Sequence, residues 1–246
     1  MTKEKKTALV TGASKGIGRA IAIALAKESY SVAINYKSDS AEAQAVLEEC
    51  DAYSDGNLIC QADVSNEDEV AAMVSLIKET HPSIDVLVNN AGIYDEEDSP
   101  TNAEAFDTIY KNNFLSCVLV VKHVLPLMQT GKIINISSIH GRLGHGRPSS
   151  SAYAAFKAAL DSYTMNLAKD VAPAILVNSI APGRVATPMW GSPNESEQDE
   201  LGKVHLIQRM IQPEEVADAA LFLVRNDAMC GSILTIDGGM GLAALK

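Results

Sequence analysis

The sequence predicts an α/β fold: one doubly wound domain with a seven-stranded parallel sheet and helices on both faces. Three observations carry this. Short apolar runs alternate with segments of helical period along the whole chain, which builds βαβ units with right-handed crossovers. The runs hold Val, Ile and Leu at both parities, as strands covered on both faces do. Of 246 residues, 47% are hydrophobic and 21% charged, enough apolar material for one large core and too much for a disordered chain.

Thr7–Thr11 is the first strand, an apolar run stopped by Gly12. Gly16–Glu28 follows as a helix, with Ile17, Ala20, Ile21, Ala24 and Leu25 on one face. Ser31–Tyr36 is the second strand, and Ser40–Asp51 a helix with Ser40 as its N-cap. The alternation continues with a strand at Asn57–Ala62, a helix at Asn66–Thr80 and a strand at Ile84–Asn89. One long helical stretch over about Ala103–Met128 leads to a strand at Lys132–Ser137. A helix at about Ser151–Asp170 precedes a strand at Ala174–Ile180. Pro213–Val224 is a helix with Pro in its first turn, and Ile233–Ile236 is the seventh strand. Gly183–Glu200 is the one long irregular stretch, and loops of that length are usually functional or disordered. It is expected to be part of a substrate lid over about residues 184–210, within a single domain of residues 1–246. Ligands of such folds bind at the carboxyl ends of the strands, so chemistry belongs in the loops that follow them.

Twenty Lys and Arg against 31 Asp and Glu give a net charge of −11, which argues against nucleic acid or an anionic membrane as partner. Cys50, Cys60, Cys117 and Cys230 are far apart with no C-x-x-C, so reduced thiols are expected. His81, His123 and His205 form no ligand spacing, and no metal is expected. The start, MTKEKKTALV, has no apolar signal core, and no apolar run reaches spanning length. The expectation is a soluble, cytoplasmic protein.

Thr11 to Gly18 reads TGASKGIG, between the first strand and the first helix. Glycines there allow a tight turn and close backbone approach to a pyrophosphate, while the helix start offers free N–H groups and a positive dipole end. Tyr153 and Lys157 stand at i and i+4 on one helix and project from one face. An ammonium beside a phenol favours the phenolate, so Tyr153 is suited to pass a proton to or from a carbonyl oxygen.

These motifs, in this order, resemble the classical short-chain dehydrogenase/reductase family. TGASKGIG matches its cofactor loop, and NNAG (Asn89 to Gly92) follows the fourth strand as it does there. Pro182, Gly183 and Thr187 match a motif after the sixth strand, and DGG at Asp237–Gly239 matches the usual end. The likeness spans the chain and is greatest to the 3-oxoacyl-[acyl-carrier-protein] reductase branch. It implies a Rossmann domain and a catalytic set of Asn113, Ser138, Tyr153 and Lys157. Ser138 would hold the substrate carbonyl, Lys157 would also bind the nicotinamide ribose, and Asn113 would support a proton relay. It implies cofactor contacts from Gly12, Ser14, Lys15, Gly16, Ile17 and Gly18 in the turn. Tyr36 and Lys37 stand at the end of the second strand, and Asp63 and Val64 follow the third. Asn89, Ala91 and Gly92 follow the fourth, and Pro182, Gly183, Val185 and Thr187 the sixth, with Tyr153 and Lys157 shared.

Tyr36 holds the position where NAD-using members carry an acid, and Lys37 and Lys15 suit a 2′-phosphate. NADP(H) is therefore expected over NAD(H), with Asp39 as a counter-indication. Ser138 and Tyr153 are 15 positions apart, more than is usual in that branch. The loop His140 to Ser151 is thus expected to be longer at the cleft mouth, with His140 and His145 as ordinary loop residues and Phe156 of little consequence. Met189, Trp190, Leu206, Ile207 and Met210 suggest a partly apolar lid. Glu195, Glu197, Asp199 and Glu200 in the lid, with Asp95, Glu96, Glu97 and Asp98 after NNAG, suggest an acidic rim. Such a rim repels an anionic carrier, and the segments that carry arginines in the carrier-protein branch hold only Lys132. Arg142, Arg147 and Arg184 offer a different basic patch. The substrate expected is a small molecule or an acyl thioester, with a neutral ketone, sugar or polyol as the alternative. The resemblance also implies a homo-oligomer, a tetramer or dimer joined by the two long helices. The tail GMGLAALK is short and apolar, as suits docking on itself or a neighbour.

Overall fold

Seven apolar runs pair edge to edge as one parallel sheet, in the order β3-β2-β1-β4-β5-β6-β7. The computed structural model describes residues 5–142, 149–191 and 194–243. The strands are β1 (Thr7–Val10), β2 (Ser31–Tyr36), β3 (Leu58–Gln61), β4 (Val86–Asn89), β5 (Gly131–Ile136), β6 (Ile175–Pro182) and β7 (Ile233–Ile236). The helices are α1 (Gly16–Lys27), α2 (Ser40–Asp51), α3 (Glu67–Thr80), α4 (Ala103–Tyr110), α5 (Ser116–Val124), α6 (Ser151–Val171), α7 (Glu195–Gly202), α8 (Pro213–Arg225) and α9 (Met240–Ala243).

Successive strand residues point to opposite faces, so each strand feeds two cores. Ala8, Val10, Ile34 and Val88 pack with Ile21, Leu25, Val216 and Leu223 of α1 and α8. Leu9, Ala33, Leu87 and Ile133 pack on the other face with Val70, Val74, Val120 and Leu167 of α3, α5 and α6. The sheet order reverses between β1 and β4, which opens a crevice between the loops that follow them.

Three readings from the sequence change. The N-cap of α2 is Asp39 rather than Ser40, and its side chain makes no cap. The stretch over Ala103–Met128 is helical without a break to Leu127 but is not uniform: a turn of π-helix at Lys111–Leu115 joins α4 to α5, and a 3₁₀ turn at Leu125–Leu127 ends it. The loop over Gly183–Glu200 holds a 3₁₀ turn at Pro188–Trp190 and most of α7. That helix is too polar to show a hydrophobic period, and its signal is the capping box of Asn194 and Glu197.

Candidate active site

The loops after β1 and β4 are stitched together. Asn90 N and Ala91 N both donate to Thr11 Oγ1, at 2.9 and 3.0 Å. Asn90 Nδ2 donates to Thr11 O and Gly12 O, at 2.9 and 3.0 Å. Gly12 has φ +60, and a Cβ there would lie 2.9 Å from Ala91 Cα. At Gly18 a Cβ would lie 2.4 Å from Gly12 O and 2.5 Å from Asn90 Nδ2. Both positions therefore demand glycine. Lys15, at the N-cap of α1, supplies no side-chain cap, and the first turn holds no acid. By contrast α3, α4 and α7 are capped by Asn66, Asn102 and Asn194. The α1 terminus keeps its positive end open to an anion. Ser14 is buried within this turn, and Ile17 packs on the core below it.

Neighbouring predicted positions converge on the same crevice. A Cβ on Gly92 would lie 3.3 Å from Asn113 Oδ1 and 3.7 Å from Lys157 Nζ. Thr187 crosses to the turn, its Cγ2 3.2 Å from where a Gly16 Cβ would stand. Pro182 ends β6, Gly183 N donates to Ile236 O at 2.9 Å, and Val185 bridges to Ile211. Asn89 is turned along the sheet, its Nδ2 donating to Asn135 Oδ1 at 2.8 Å. Asn135 in turn donates to Thr164 Oγ1, so this amide braces β4, β5 and α6.

Lys157 is 4% exposed and its Nζ donates to Ile136 O at 2.7 Å, with the Tyr153 ring centre 5.7 Å away. Asn113 is fully buried in the π turn. Its Oδ1 accepts from Ile93 N at 2.7 Å and its Nδ2 donates to Ile93 O at 2.8 Å. Ser138, at the end of β5, accepts from His140 N at 3.2 Å. His140 sits in a 3₁₀ turn at Ile139–Gly141, and its ring meets the Tyr153 ring edge-on, 6.0 Å away at 87°. Tyr94 packs on the same ring at 5.9 Å. Phe156 faces away to Phe106 and Tyr110. His145 and Arg147 lie outside the described residues.

At the far end of the crevice Tyr36 and Val64 are buried. Lys15 pairs with Asp39 at 2.7 Å and Lys37 with Asp63 at 2.6 Å. Burial alone would raise the Asp63 carboxyl, but Lys37 and the Ser65 hydrogen bonds outweigh it and hold it below the usual range. The hydrogen bond and charge of Asp39 hold Lys15 above its usual value.

The acidic rim is smaller than its composition suggests. Asp98 is buried beneath it, and within the lid Glu197 caps α7 and Glu200 pairs with Lys203. Lys132 pairs with Asp227 at 2.7 Å. Burial pushes the Cys50 and Cys60 thiols up to about 12, which leaves them unreactive. Among the described residues no group of three or more His, Cys, Asp or Glu is arranged to hold a metal.

The family model described as Enoyl-(Acyl carrier protein) reductase matches residues 12–241. The chain belongs to the short-chain dehydrogenase/reductase family. It is an oxidoreductase of that kind. The 3-oxoacyl-[acyl-carrier-protein] reductase FabG of Staphylococcus aureus is 35% identical over 245 residues, covering 97% of this chain and 99% of that one. Glucose 1-dehydrogenase 2 of Bacillus subtilis is 36% identical over 248 residues, covering 96% and 95%. A short-chain dehydrogenase/reductase structure from Burkholderia xenovorans superposes with a TM-score of 0.88 at 28% identity, covering 98% and 100%. The sheet order and the crevice are thus those of short-chain dehydrogenases/reductases.

Two features have no place in the sequence analysis. Thr11 and Asn90 lock the glycine turn, and the TG and NN of the motifs signal both. Asp98 and Tyr94 reach Tyr153 from a loop with no local signal for it.

Proposed function

We propose that the protein is an NADP(H)-dependent oxidoreductase that interconverts a ketone and a secondary alcohol. Its proposed substrate is a 3-oxoacyl thioester on acyl carrier protein. The carrying observation is that Tyr153, Lys157 and Asn113 meet beside Gly92, next to an uncapped glycine turn. The residues fit a dinucleotide: the missing Cβ atoms at Gly12 and Gly18 keep the turn tight, and free N–H groups suit a pyrophosphate. Lys157 and Tyr153 would hold the nicotinamide ribose, with Asp63 and Val64 at the adenine. When bound, the cofactor supplies or takes up a hydride.

The protein's own residues handle the proton and the carbonyl. Ser138 Oγ holds the carbonyl oxygen. The Tyr153 hydroxyl gives that oxygen a proton in reduction and takes it back in oxidation. The Lys157 ammonium offsets the charge left on the Tyr153 oxygen. Asn113, held at both ends of its amide by Ile93, supports the proton path at fixed geometry.

The 2′-phosphate reading rests on Lys15 and Lys37. A phosphate of about −1.5 to −2 charges competes well against the single charges of Asp39 and Asp63. The thioester reading draws on the name of the Staphylococcus relative. A small neutral ketone, sugar or polyol is the second reading. Glu96 and Glu97, exposed on the loop whose Tyr94 packs on Tyr153, favour it, as does the Bacillus relative. The active species is read as a cytoplasmic homo-oligomer; among the described residues no helix is long and apolar enough to cross a membrane.

The test follows NADPH oxidation with an acetoacetyl thioester on carrier protein and on an uncharged pantetheine analogue, with NADH and Tyr153→Phe alongside. Turnover on the carrier supports the first reading. Turnover of the analogue alone moves the substrate to the second. Turnover of neither, with NADPH bound, overturns the thioester reading.

A further inference from the structure

Asp98 has no part in the chemistry above, yet it is 1% exposed and both its carboxylate oxygens are engaged. Oδ1 accepts from Ala152 N at 2.9 Å, and Oδ2 accepts from Tyr153 N at 2.9 Å. These are N–H groups of the first turn of α6, which a helix leaves unsatisfied. The residue at the N-cap, Ser150, makes no side-chain cap. The cap comes instead from the loop after β4, 55 positions upstream of Tyr153. A carboxylate there also meets the positive end of the helix dipole. One of the two N–H groups belongs to Tyr153 itself, so the contact fixes the backbone of the residue that carries the reacting hydroxyl.

The same loop is anchored at its start and closed by a turn of its own at Asp98. Ile93 is held by Asn113, and Asp98 N donates to Asp95 O at 3.2 Å. Between them the Tyr94 ring packs on Tyr153, while its hydroxyl donates to Ser149 O at 2.7 Å. The loop thus grips the start of α6 by a carboxylate, a ring and a hydroxyl.

We propose that Asp98 is a positioning residue for the reaction, clamping the start of α6 so that the Tyr153 hydroxyl stands at the height of the substrate oxygen. This rests on the reading of Tyr153 as the proton donor. Displacing a reacting group by about 1 Å costs on the order of 10²-fold in rate. Asp98→Ala removes both acceptors. Asp98→Asn keeps one and sets an N–H₂ against the other N–H.

The experiment measures kcat, KM, NADPH affinity and melting temperature for the wild type, Asp98→Ala, Asp98→Asn and Tyr153→Phe. The expected result is a kcat lower by roughly 10- to 100-fold in Asp98→Ala. Asp98→Asn is partly rescued, and KM and NADPH affinity stay within about twofold. A cap with a structural role alone lowers the melting temperature and leaves kcat unchanged in folded protein. That result in either variant overturns the proposal while leaving the role of Tyr153 intact. If Asp98→Ala does not fold, Asp98→Asn decides by the same criterion. If Tyr153→Phe turns over as well as the wild type, the proton-donor reading fails and the positioning role fails with it.

Discussion

Lys157 Nζ lies 5.7 Å from the centre of the Tyr153 ring while donating to Ile136 O at 2.7 Å. A main-chain carbonyl at the end of β5 thus aims the ammonium at the phenol one turn earlier on α6. The buried cation has a fixed place, so its effect on Tyr153 does not depend on a flexible stem.

This geometry predicts two different losses. Tyr153→Phe keeps the ring contacts with Tyr94 and His140 and removes only the hydroxyl. Its kcat should fall by at least ~10²-fold with NADPH affinity unchanged. Lys157→Met removes the charge and leaves Ile136 O without its donor, so it should lower both turnover and NADPH affinity. Steady-state kinetics and fluorescence titration separate the two. A Tyr153→Phe enzyme of normal kcat refutes the mechanism.

Gly18→Ala should act on binding instead. Its Cβ would stand 2.4 Å from Gly12 O and 2.5 Å from Asn90 Nδ2, closer than real Cβ contacts allow. The backbone and the Asn90 amide must move, and the hydrogen bonds joining the loops after β1 and β4 are lost. NADPH affinity is expected to fall by more than ~10-fold, about 1.4 kcal/mol, with a lower melting temperature. Unchanged affinity by titration would show that the turn does not form the cofactor cradle.

What the sequence made legible follows from the range of its signals. The buried strands β1 and β4 and the apolar face of α1 announce themselves over a few residues, so sheet and crevice were readable. The π turn at Lys111–Leu115 was not, because one inserted residue barely disturbs an apolar pattern. In the sequence Asp98 reads as part of an acidic rim because it stands among Asp95, Glu96 and Glu97. Its partners, the N–H groups of Ala152 and Tyr153, are tens of residues away and have no sequence signature. His205 shows no ligand spacing in the sequence, and the groups that hold its ring, Arg184 N and Gly202 O, are brought to it by folding alone.

Cofactor preference should respond to Asp39. Its carboxylate holds Lys15 at 2.7 Å in a pair whose side chains are 51% and 42% exposed. Such exposed pairs are worth no more than about 1 kcal/mol, so Asp39→Asn costs little stability. It frees Lys15 and removes a negative charge from the end of the crevice read as the 2′-phosphate site. The NADPH over NADH preference in kcat/KM should rise by roughly 5-fold, within about 1 kcal/mol. Lys15→Ala should lower it. No response to either change would remove Lys15 from cofactor selection.

The pH response should centre on His205, which is fully buried at the neck of the lid. Its Nε2 accepts from Arg184 N at 3.1 Å, so the proton sits on Nδ1, facing Gly202 O at 3.2 Å. The ring therefore ties Arg184, at the start of the lid segment, to Gly202 further along it only when neutral. Burial, with the Arg184 charge, pushes its pKa down, against the opposing pull of Gly202, Asp237 and Arg209. A folded pKa below the unfolded value near 6.5 means that the unfolded chain binds the proton more readily. Stability is therefore full above about pH 6.5 and is lost as pH falls below it. His81, lowered by burial, adds to the same window, whereas Asp63 and Glu215, lowered by their ion pairs, act only below about pH 4.5. His205→Gln keeps an acceptor for Arg184 and cannot be protonated. Its melting temperature should fall less between pH 8 and pH 5 than that of the wild type. Because the neck holds the lid, KM of the wild type should rise over the same window and that of His205→Gln should not. Equal slopes in melting temperature and KM for the two proteins would show that His205 does not sense pH.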